Sequence, residues 1–395
     1  MSEGNRDLGE RMPYLVERMR RFGTTIFAEM SALAVATGSI NLGQGFPDTD
    51  GPPEVVEAAI AAIRAGDNQY PPGIGIASLR TAVAEHQARF WDIDYDADTE
   101  VLVTAGATEA IASSLLSLCE PGDEVVTFEP YYDSYAASIA MAGATRRVVQ
   151  LRPPDYSFDA DELAAAFSPR TRLVLLNSPH NPTGKVFSRD ELELVARLCI
   201  EHDVVAVTDE VYEHLVFDGE HVPLATLPQM RDRTVTISSG GKTFSCTGWK
   251  VGWVCASEAL VAAVRTAKQF LTYVNAGPFQ YAIAVGLGLP DAVFHALAAD
   301  LREKRDRLTR GLLDAGLEVF PSHGTYFVTT DIRAIGEHDG LEFCRTLPER
   351  CGVVAIPNVV FYDDHDAGLP LVRFAFCKRL DVIGDAVARL KALRP

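Results

Sequence analysis

Short apolar runs, each followed by small residues and a stretch of helical spacing, recur along the chain and constrain its fold most strongly. The strand candidates are residues 100–104, 124–128, 146–151, 172–177, 203–208, 234–238 and 250–256. Alternation of apolar strands with amphipathic helices is typical of a mostly parallel sheet covered by helices. The pattern predicts an α/β fold whose large domain contains a mostly parallel, seven-stranded sheet.

The last third of the chain has a different pattern. A helix-rich stretch at 258–315 is followed by strand-like segments and a terminal helix, at residues 317–320, 326–330, 372–376 and 382–393. This order predicts a smaller α+β domain. We expect an N-terminal arm at 1–42 that packs on the small domain, a large domain at 43–285 and a small domain at 286–395.

Composition and charge bear on the class of partner and on location. The 395-residue chain is 47% hydrophobic, and its net charge of −18 comes without any Lys/Arg-rich run, which argues against nucleic acid as the main partner. No apolar run is long enough to span a membrane, and residues 1–23 lack the apolar centre of a signal peptide. Seven cysteines without Cys-x-x-Cys spacing are typical of a reducing compartment, so we expect a cytoplasmic protein.

Lys242 is the first candidate for chemistry. It follows the strand candidate 234–238 and lies among serines, glycines and threonines that leave room for a ligand. A lysine in such a place can form a Schiff base with an aldehyde cofactor. The hydroxyl of Ser239 and the ammonium of Lys250 could hold a phosphate of that cofactor. A solvated surface lysine is the simpler alternative.

Asp209 ends another strand candidate and is followed three residues later by Tyr212. A carboxylate at a strand end can pair with a protonated pyridine nitrogen and keep the ring an electron acceptor. The Tyr212 hydroxyl could reach the phenolic oxygen of the same ring. The alternative is an ordinary helix N-cap at Asp209, with Tyr212 as a packing residue.

Two strand-to-turn segments add polar groups. In the first, a strand ends at Asn177 and a turn rich in proline and glycine fixes the amide of Asn181. That segment could be a turn alone. In the second, Gly106, Ala107 and Thr108 lead from a strand into a helix, whose free N–H groups suit a phosphate. Tight packing of strand against helix would call for the same small residues.

Together these segments resemble the pyridoxal phosphate (PLP)-dependent aminotransferases of class I and II, which have PLP fold type I. Further segments fall in the order that this family shows, at residues 41–48, 68–70, 129–133 and 372–374. Within the family, the segments 25–31, 68–73 and 209–215 resemble kynurenine/glutamine-type and bacterial N-succinyldiaminopimelate aminotransferases. Lys250, where the aspartate branch has arginine, agrees with that subgroup.

The resemblance implies a role for each candidate residue. Lys242 would carry the Schiff base with PLP, Asp209 would pair with the pyridine nitrogen, and Tyr212 would contact the phenolic oxygen. The other implied cofactor contacts are Asn181 at the phenolic oxygen, Tyr132 on the ring, Ser239, Lys250, Gly106, Ala107 and Thr108 at the phosphate, and Tyr70 of the partner subunit in a homodimer.

The resemblance also implies how substrates bind. Arg373 would hold the α-carboxylate of an amino acid in a bidentate fork, with Gly43 on the loop that closes over it. Asn181 and Phe27 would complete the substrate site. The implied substrates are an amino acid and a 2-oxo acid, with glutamate or glutamine and 2-oxoglutarate as one pair and a larger side chain on the other substrate.

Two other functions stay open at this point. A PLP-dependent lyase or carbon–carbon bond-forming enzyme could use the same residues, because a shared carbanion can partition to different products. A non-catalytic ligand sensor is the second, although the chain has no basic patch. No metal is implied.

Overall fold

The computed structural model describes residues 14–23 and 25–394; the predicted N-terminal arm at 1–42 therefore lies partly outside the described residues. The strands are β1 (Ile40–Asn41), β2 (Val101–Thr104), β3 (Glu124–Glu129), β4 (Thr145–Gln150), β5 (Thr171–Asn177), β6 (Val205–Asp209), β7 (Thr234–Ser239), β8 (Gly252–Cys255), β9 (Glu318–Val319), β10 (Phe327–Asp331), β11 (Val353–Val354), β12 (Ile356–Pro357) and β13 (Leu371–Ala375).

The α-helices cover both faces of the large sheet and also pack against the small one. They are α1 (Ile26–Thr37), α2 (Pro53–Ala65), α3 (Ala77–Trp91), α4 (Gly106–Leu118), α5 (Asp133–Met141), α6 (Ala160–Ala166), α7 (Arg189–Glu201), α8 (Gly240–Thr243), α9 (Glu258–Lys268), α10 (Gly277–Leu287), α11 (Asp291–Asp314), α12 (Gly340–Cys351), α13 (His365–Gly368) and α14 (Leu380–Leu390).

The large sheet has seven strands in the order β2-β8-β7-β6-β5-β3-β4. Strand β8 is antiparallel to both neighbours, and the other pairs are parallel. Because helices cover both faces, the central strands β5, β6 and β7 are buried over most of their length, and β5 contains a continuous run of Leu and Val at 173–176. The predicted mostly parallel, seven-stranded sheet is therefore confirmed.

Neighbouring strands of this sheet end at the same edge, and their last residues are polar. Asn177 at the end of β5 pairs in register with Asp209 at the end of β6, and Ser239 ends the next strand, β7. Strand β2 points the same way, so the start of α4 at Gly106 lies at this edge as well. Open α/β sheets bind ligands at this edge.

The C-terminal part of the chain forms a four-stranded antiparallel sheet in the order β12-β13-β10-β9. Helix α11 packs against α14 beside it. From the N-terminal side, β1 pairs in parallel with β11, and α1 contacts α12. Chain segments from the two ends of the sequence are thus joined next to the sheet that carries Arg373.

Most predicted boundaries differ from the observed ones by one to three residues. The strand expected at 317–320 is only Glu318–Val319, and the last helix begins at Leu380 and ends at Leu390. The short strands β1, β11 and β12 were not predicted, because two residues are too few for an apolar alternation to be visible. Over the described residues, no single helix has the length and apolar character to cross a membrane, and one helix pair, α10 with α11, reaches the threshold only jointly, across a bend of 93°.

Candidate active site

A cavity of about 390 Å³ lies at the polar edge of the large sheet. Small-molecule sites in proteins have volumes of this order. Twelve of the fourteen residues named from the sequence line it: Phe27, Gly106, Ala107, Thr108, Tyr132, Asn181, Asp209, Tyr212, Ser239, Lys242, Lys250 and Arg373. Residues more than 340 positions apart in the chain therefore meet around one space.

Lys242 reaches this cavity from α8, the single helical turn that follows β7 directly. Its Nζ donates a hydrogen bond to the hydroxyl of Tyr326, with 3.0 Å between the two atoms, and lies 5.8 Å from the centre of the Tyr212 ring. Burial lowers the pKa of the Lys242 amine to about 8. The amine therefore exchanges protons close to neutral pH, as a nucleophile or general base requires.

Asp209 is buried beneath the cavity. The hydroxyl of Tyr135 donates to its Oδ2 at 2.6 Å, and the amide of Asn177 donates to its carbonyl oxygen at 2.7 Å. Burial raises the pKa of Asp209 to about 6, while the Tyr135 hydrogen bond acts in the opposite direction. A cation placed against this carboxylate would stabilise its charged form.

The turn after β5 positions Asn181 as expected. The backbone N–H of Asn181 donates to Oδ1 of Asn177 at 2.7 Å, so Asn177 holds Asn181 with one end of its amide and Asp209 with the other. The turn is closed by a bond from the His180 N–H to the Lys185 carbonyl. The segment is thus a turn and also lines the cavity.

Arg373 enters from β13 and is only 1% exposed. Its Nη1 donates to Oδ1 of Asn181 at 2.7 Å and its Nη2 to the Gly43 carbonyl at 3.0 Å, while its Nε has no partner among the described residues. The guanidinium lies 3.9 Å from the centre of the Phe327 ring. Burial lowers the pKa of Arg373 to about 10, so it stays charged at neutral pH.

Arg373 forms no salt bridge with any carboxylate of the described residues, although ion pairs hold the exposed side chains of Arg231 and Arg333 elsewhere in the molecule. A buried charge without a counter-ion is costly, and proteins retain one mainly where a ligand supplies the opposite charge. The chemistry of this end of the cavity therefore fits a carboxylate of a ligand.

The opposite end is suited to a phosphate. Gly106 has φ of +76°, and a Cβ there would lie 3.2 Å from Nζ of Lys250, so only glycine lets this ammonium approach the start of α4. The amide of Asn275 donates to the carbonyl oxygens of Thr104 and Lys250, both at 3.0 Å, and fixes the two segments together. Free N–H groups in the first turn of α4 and the hydroxyl of Ser239 complete the donors.

Two predicted residues do not line the cavity. Tyr70 is 82% exposed and contacts Tyr273, with 5.6 Å between the ring centres. Gly43 contributes through its carbonyl oxygen, which accepts from Arg373. Phe27 lines the cavity beside Arg373, with its ring centre 5.4 Å from the guanidinium carbon.

Tyr132 and Tyr212 are aromatic walls of the cavity. Tyr132 immediately precedes α5, and burial raises its pKa to about 12, so its hydroxyl stays protonated. Tyr212 is 3% exposed and packs edge to face against Tyr326. No α-helix begins at Asp209, where the chain makes turns instead, so the helix N-cap alternative for Asp209 is wrong.

Sequence reasoning missed two tyrosines at the centre of the site. Tyr135 could have been found, because it lies one helical turn after Tyr132 and so projects to the same side of α5. Tyr326 carried no signal, since it precedes a strand of the small domain, 84 positions from Lys242. Gln44 was also missed; its amide donates to Ser31 Oγ and to the Phe27 carbonyl and fixes the loop beside Arg373.

The residues present fit PLP. The phosphate donors at the start of α4, the buried carboxylate of Asp209 and the partly accessible amine of Lys242 surround the same cavity. Asp209 and Lys242 have no charged partner within salt-bridge distance among the described residues, whereas a phosphorylated pyridine aldehyde would engage both. The donor set therefore matches the cofactor that the sequence implied.

Comparison with known proteins agrees with this chemistry. Residues 37–374 match the family described as aminotransferase class I and II. A probable N-succinyldiaminopimelate aminotransferase of Mycobacterium tuberculosis is 52% identical over 389 residues, which cover 96% of this chain and 98% of that protein. A methionine aminotransferase of Escherichia coli is 41% identical over 377 residues, 95% of this chain and 97% of that protein.

The solved structure of the N-succinyldiaminopimelate aminotransferase from Mycobacterium tuberculosis superposes with a TM-score of 0.94 at 53% identity, and the match covers 96% of this chain and all of that one. These matches confirm the predicted family, the fold type, the cofactor and the type of reaction. The chain therefore belongs to the class I and II aminotransferases and is a PLP-dependent enzyme of fold type I.

Proposed function

We propose that this aminotransferase exchanges an amino group between two pairs of amino acid and 2-oxo acid. One pair is glutamate and its 2-oxo acid. The other pair contains an amino acid whose side chain is long and carries no charge near Cβ. One observation carries the proposal. Arg373 is buried without a counter-ion, and no second arginine lines the cavity in the part of the chain that the structure describes. A single guanidinium binds the α-carboxylate that all amino acids share and leaves the side chain to other groups.

The relatives direct the choice of substrate. The Mycobacterium tuberculosis relative is named for N-succinyldiaminopimelate, whose long side chain meets this description, so that compound is the first candidate. Methionine is the second, because the Escherichia coli relative is named for it. Thr25, Phe27 and Gln44 also line the cavity and offer both apolar and amide contacts.

The family resemblance suggests which residues would hold PLP, and their position around one cavity supports that assignment. Lys242 would bind its aldehyde, Asp209 its ring nitrogen, and Tyr212 with Asn181 its phenolic oxygen. The ring face would lie against Tyr132, and the phosphate against Ser239, Lys250, Gly106, Ala107 and Thr108. When bound, PLP supplies an aldehyde that links to amines and a ring that accepts the electrons of a broken Cα–H bond.

The protein residues then bind the substrate and move its proton. Arg373 and Asn181, with Gly43 behind them, would fix the α-carboxylate and so set the direction of the Cα–H bond. Lys242 would take the Cα proton on its Nζ as a general base and then donate it, as an acid, to the former aldehyde carbon of the cofactor. A pKa near 8 suits both steps, because the neutral amine and the ammonium are both populated close to neutral pH.

Assembly, location and domain division are part of the same proposal. The exposed pair Tyr70 and Tyr273 supports a homodimer in which Tyr70 of the partner subunit completes the phosphate site. Mixed Lys242→Ala and Tyr70→Phe chains should then recover activity through hybrid dimers, and no recovery would count against shared sites.

All seven cysteines are free, which supports a cytoplasmic location. The pairing of β1 with β11 supports an arm at 1–42 on a small domain at 286–395, beside a large domain at 43–285.

The direct test is a screen of the purified enzyme with N-succinyldiaminopimelate, methionine, kynurenine, glutamine and aspartate as donors to 2-oxoglutarate. We expect the highest kcat/KM for N-succinyldiaminopimelate and the lowest for aspartate. Preference for aspartate would contradict the proposal. Release of ammonia and a 2-oxo acid without any oxo-acid acceptor would identify the lyase alternative, and binding without turnover would identify the sensor.

A further inference from the structure

Tyr326 is a buried tyrosine that the proposed roles leave unused. It precedes β10, is 1% exposed, and places its hydroxyl between Lys242 and the loop at 43–45. Nζ of Lys242 lies 3.0 Å from this oxygen, and the Gly45 carbonyl lies 2.7 Å from it on the other side. The hydroxyl therefore connects the amine to the loop next to Arg373.

The direction of both hydrogen bonds follows from the groups involved. A backbone carbonyl can only accept, so the single hydroxyl proton of Tyr326 is donated to Gly45. The oxygen is then left to accept a bond from Lys242. Burial raises the pKa of Tyr326 well above its ordinary value, so the hydroxyl keeps that proton. One N–H of the lysine is thereby held toward Tyr326, and the nitrogen lone pair points elsewhere.

The loop that fixes Tyr326 is itself fixed. The Gly43 carbonyl accepts a hydrogen bond from Arg373, and two residues later the Gly45 carbonyl accepts one from Tyr326. At Gly45 a Cβ would come within 2.5 Å of the Phe327 ring and 2.9 Å of the Tyr326 ring, so glycine is needed for the loop to lie against these two rings. Rotation of the tyrosine away from Lys242 would have to displace a loop that is tied to the substrate-binding arginine.

We propose that Tyr326 is an additional catalytic residue whose hydroxyl orients the Lys242 amine and favours its protonated form. The proposal rests on the role of Lys242 in the proposed function. As the substrate Cα–H bond breaks, its proton goes to Nζ of Lys242 and its electron pair to the cofactor. The ammonium so formed donates to the Tyr326 oxygen, and Tyr326 keeps its own proton on the bond to Gly45.

Replacement of Tyr326 by phenylalanine removes the hydroxyl and keeps the ring. The enzyme loaded with pyridoxamine 5′-phosphate, the form with a free Lys242 amine, is labelled with trace acetic anhydride between pH 6 and 10. Mass spectrometry of the Lys242 peptide gives the pH midpoint of its reactivity. Loss of a hydrogen bond to a charged group should lower this midpoint by about one pH unit. We expect kcat to fall by about tenfold and KM to change by less than about threefold.

Tyr362→Phe is the matched control, because the Tyr362 hydroxyl is also buried but has no hydrogen-bond partner among the described residues. It should leave the Lys242 midpoint and kcat unchanged. An unchanged midpoint in Tyr326→Phe, or an equal shift in both variants, would overturn the proposal. The labelling reads the Lys242 amine itself, so it is independent of which amino acid is the substrate; the donor screen alone tests that.

Discussion

Two buried polar clusters in this molecule differ in whether their polar and charged groups have partners within the protein. The cavity cluster consists of Lys242, Asp209 and Arg373, which face a space and have no ionic partners among the described residues. The histidine cluster consists of His86 from α3 with Glu213 and His214 from the turns after β6, and none of the three lines the cavity. Both clusters are buried, and both contain groups with strongly shifted pKa values.

The histidine cluster satisfies its polar groups internally. The Nε2 atoms of His86 and His214 are 2.6 Å apart, and Glu213 accepts from Trp91 Nε1 at 2.7 Å and from Ser238 Oγ at 2.5 Å. Burial lowers the pKa of His86 to about 3 and raises that of Glu213 to about 7. Burial and shifted pKa values therefore do not identify a functional site by themselves. Buried charged groups that have no ionic partner and face a cavity do identify one.

Lys242→Ala should have the largest effect of any change in the cavity cluster. Turnover should fall by more than about 10³-fold and the visible absorbance of the Schiff base between lysine and cofactor should be lost, because the variant lacks both the nucleophile and the proton carrier. Activity assays and spectra measure both losses. Lys304→Ala, which removes another largely buried lysine, is the control. A borohydride-reducible link to the cofactor in Lys242→Ala would show that another lysine does this work.

Arg373→Ala should lower kcat/KM for every amino acid tested, by a factor equivalent to about 2–5 kcal/mol, because a desolvated charge pair is lost. Steady-state kinetics with several donors measure the loss. Arg333→Ala, on an exposed arginine that follows β10, should change kcat/KM little. If only one donor is affected, Arg373 recognises a side chain and the clamp assignment is wrong.

Glu213→Gln should leave kcat/KM within about threefold, since the histidine cluster lies outside the cavity. Its effect is on stability. A carboxyl whose pKa is raised on folding, here from 4.5 to about 7, binds more protons when folded, so its contribution to stability is lost as the pH rises through this range. The variant should therefore gain up to about 3 kcal/mol relative to the native protein between pH 5 and pH 8.

Urea unfolding of both proteins at the two pH values measures this difference. His86 acts in the opposite direction, because its lowered pKa destabilises the fold as the pH falls below 6.5, but it is present in both proteins and cancels. Glu54→Gln, on an exposed glutamate of α2, should show no such trend. If the difference in the free energy of unfolding between the two proteins does not depend on pH, burial does not raise the pKa of Glu213.

The sheet could be predicted because its strands are long apolar runs with a clear period. Lys242, Asp209 and Asn181 could be predicted because each follows such a run within a few residues, and parallel strands bring their ends to one edge. Arg373 could be placed only by resemblance, since it lies inside a strand of the other sheet. Tyr326 could not be placed at all, and neither could Asn275, whose amide holds the backbone at Thr104 and Lys250.

The family, the fold class and the strand positions along the chain were readable from the sequence, and the cofactor-binding residues could be predicted from it, because all of these depend on local period and on short motifs. The contacts across the cavity were decided by tertiary structure alone. Whether a buried charge meets a partner depends on side chains from distant segments, as with Arg373, Gly43 and Asn181 or with Lys242 and Tyr326. Such distances in space have no period in the sequence, and they separate the cavity cluster from the histidine cluster.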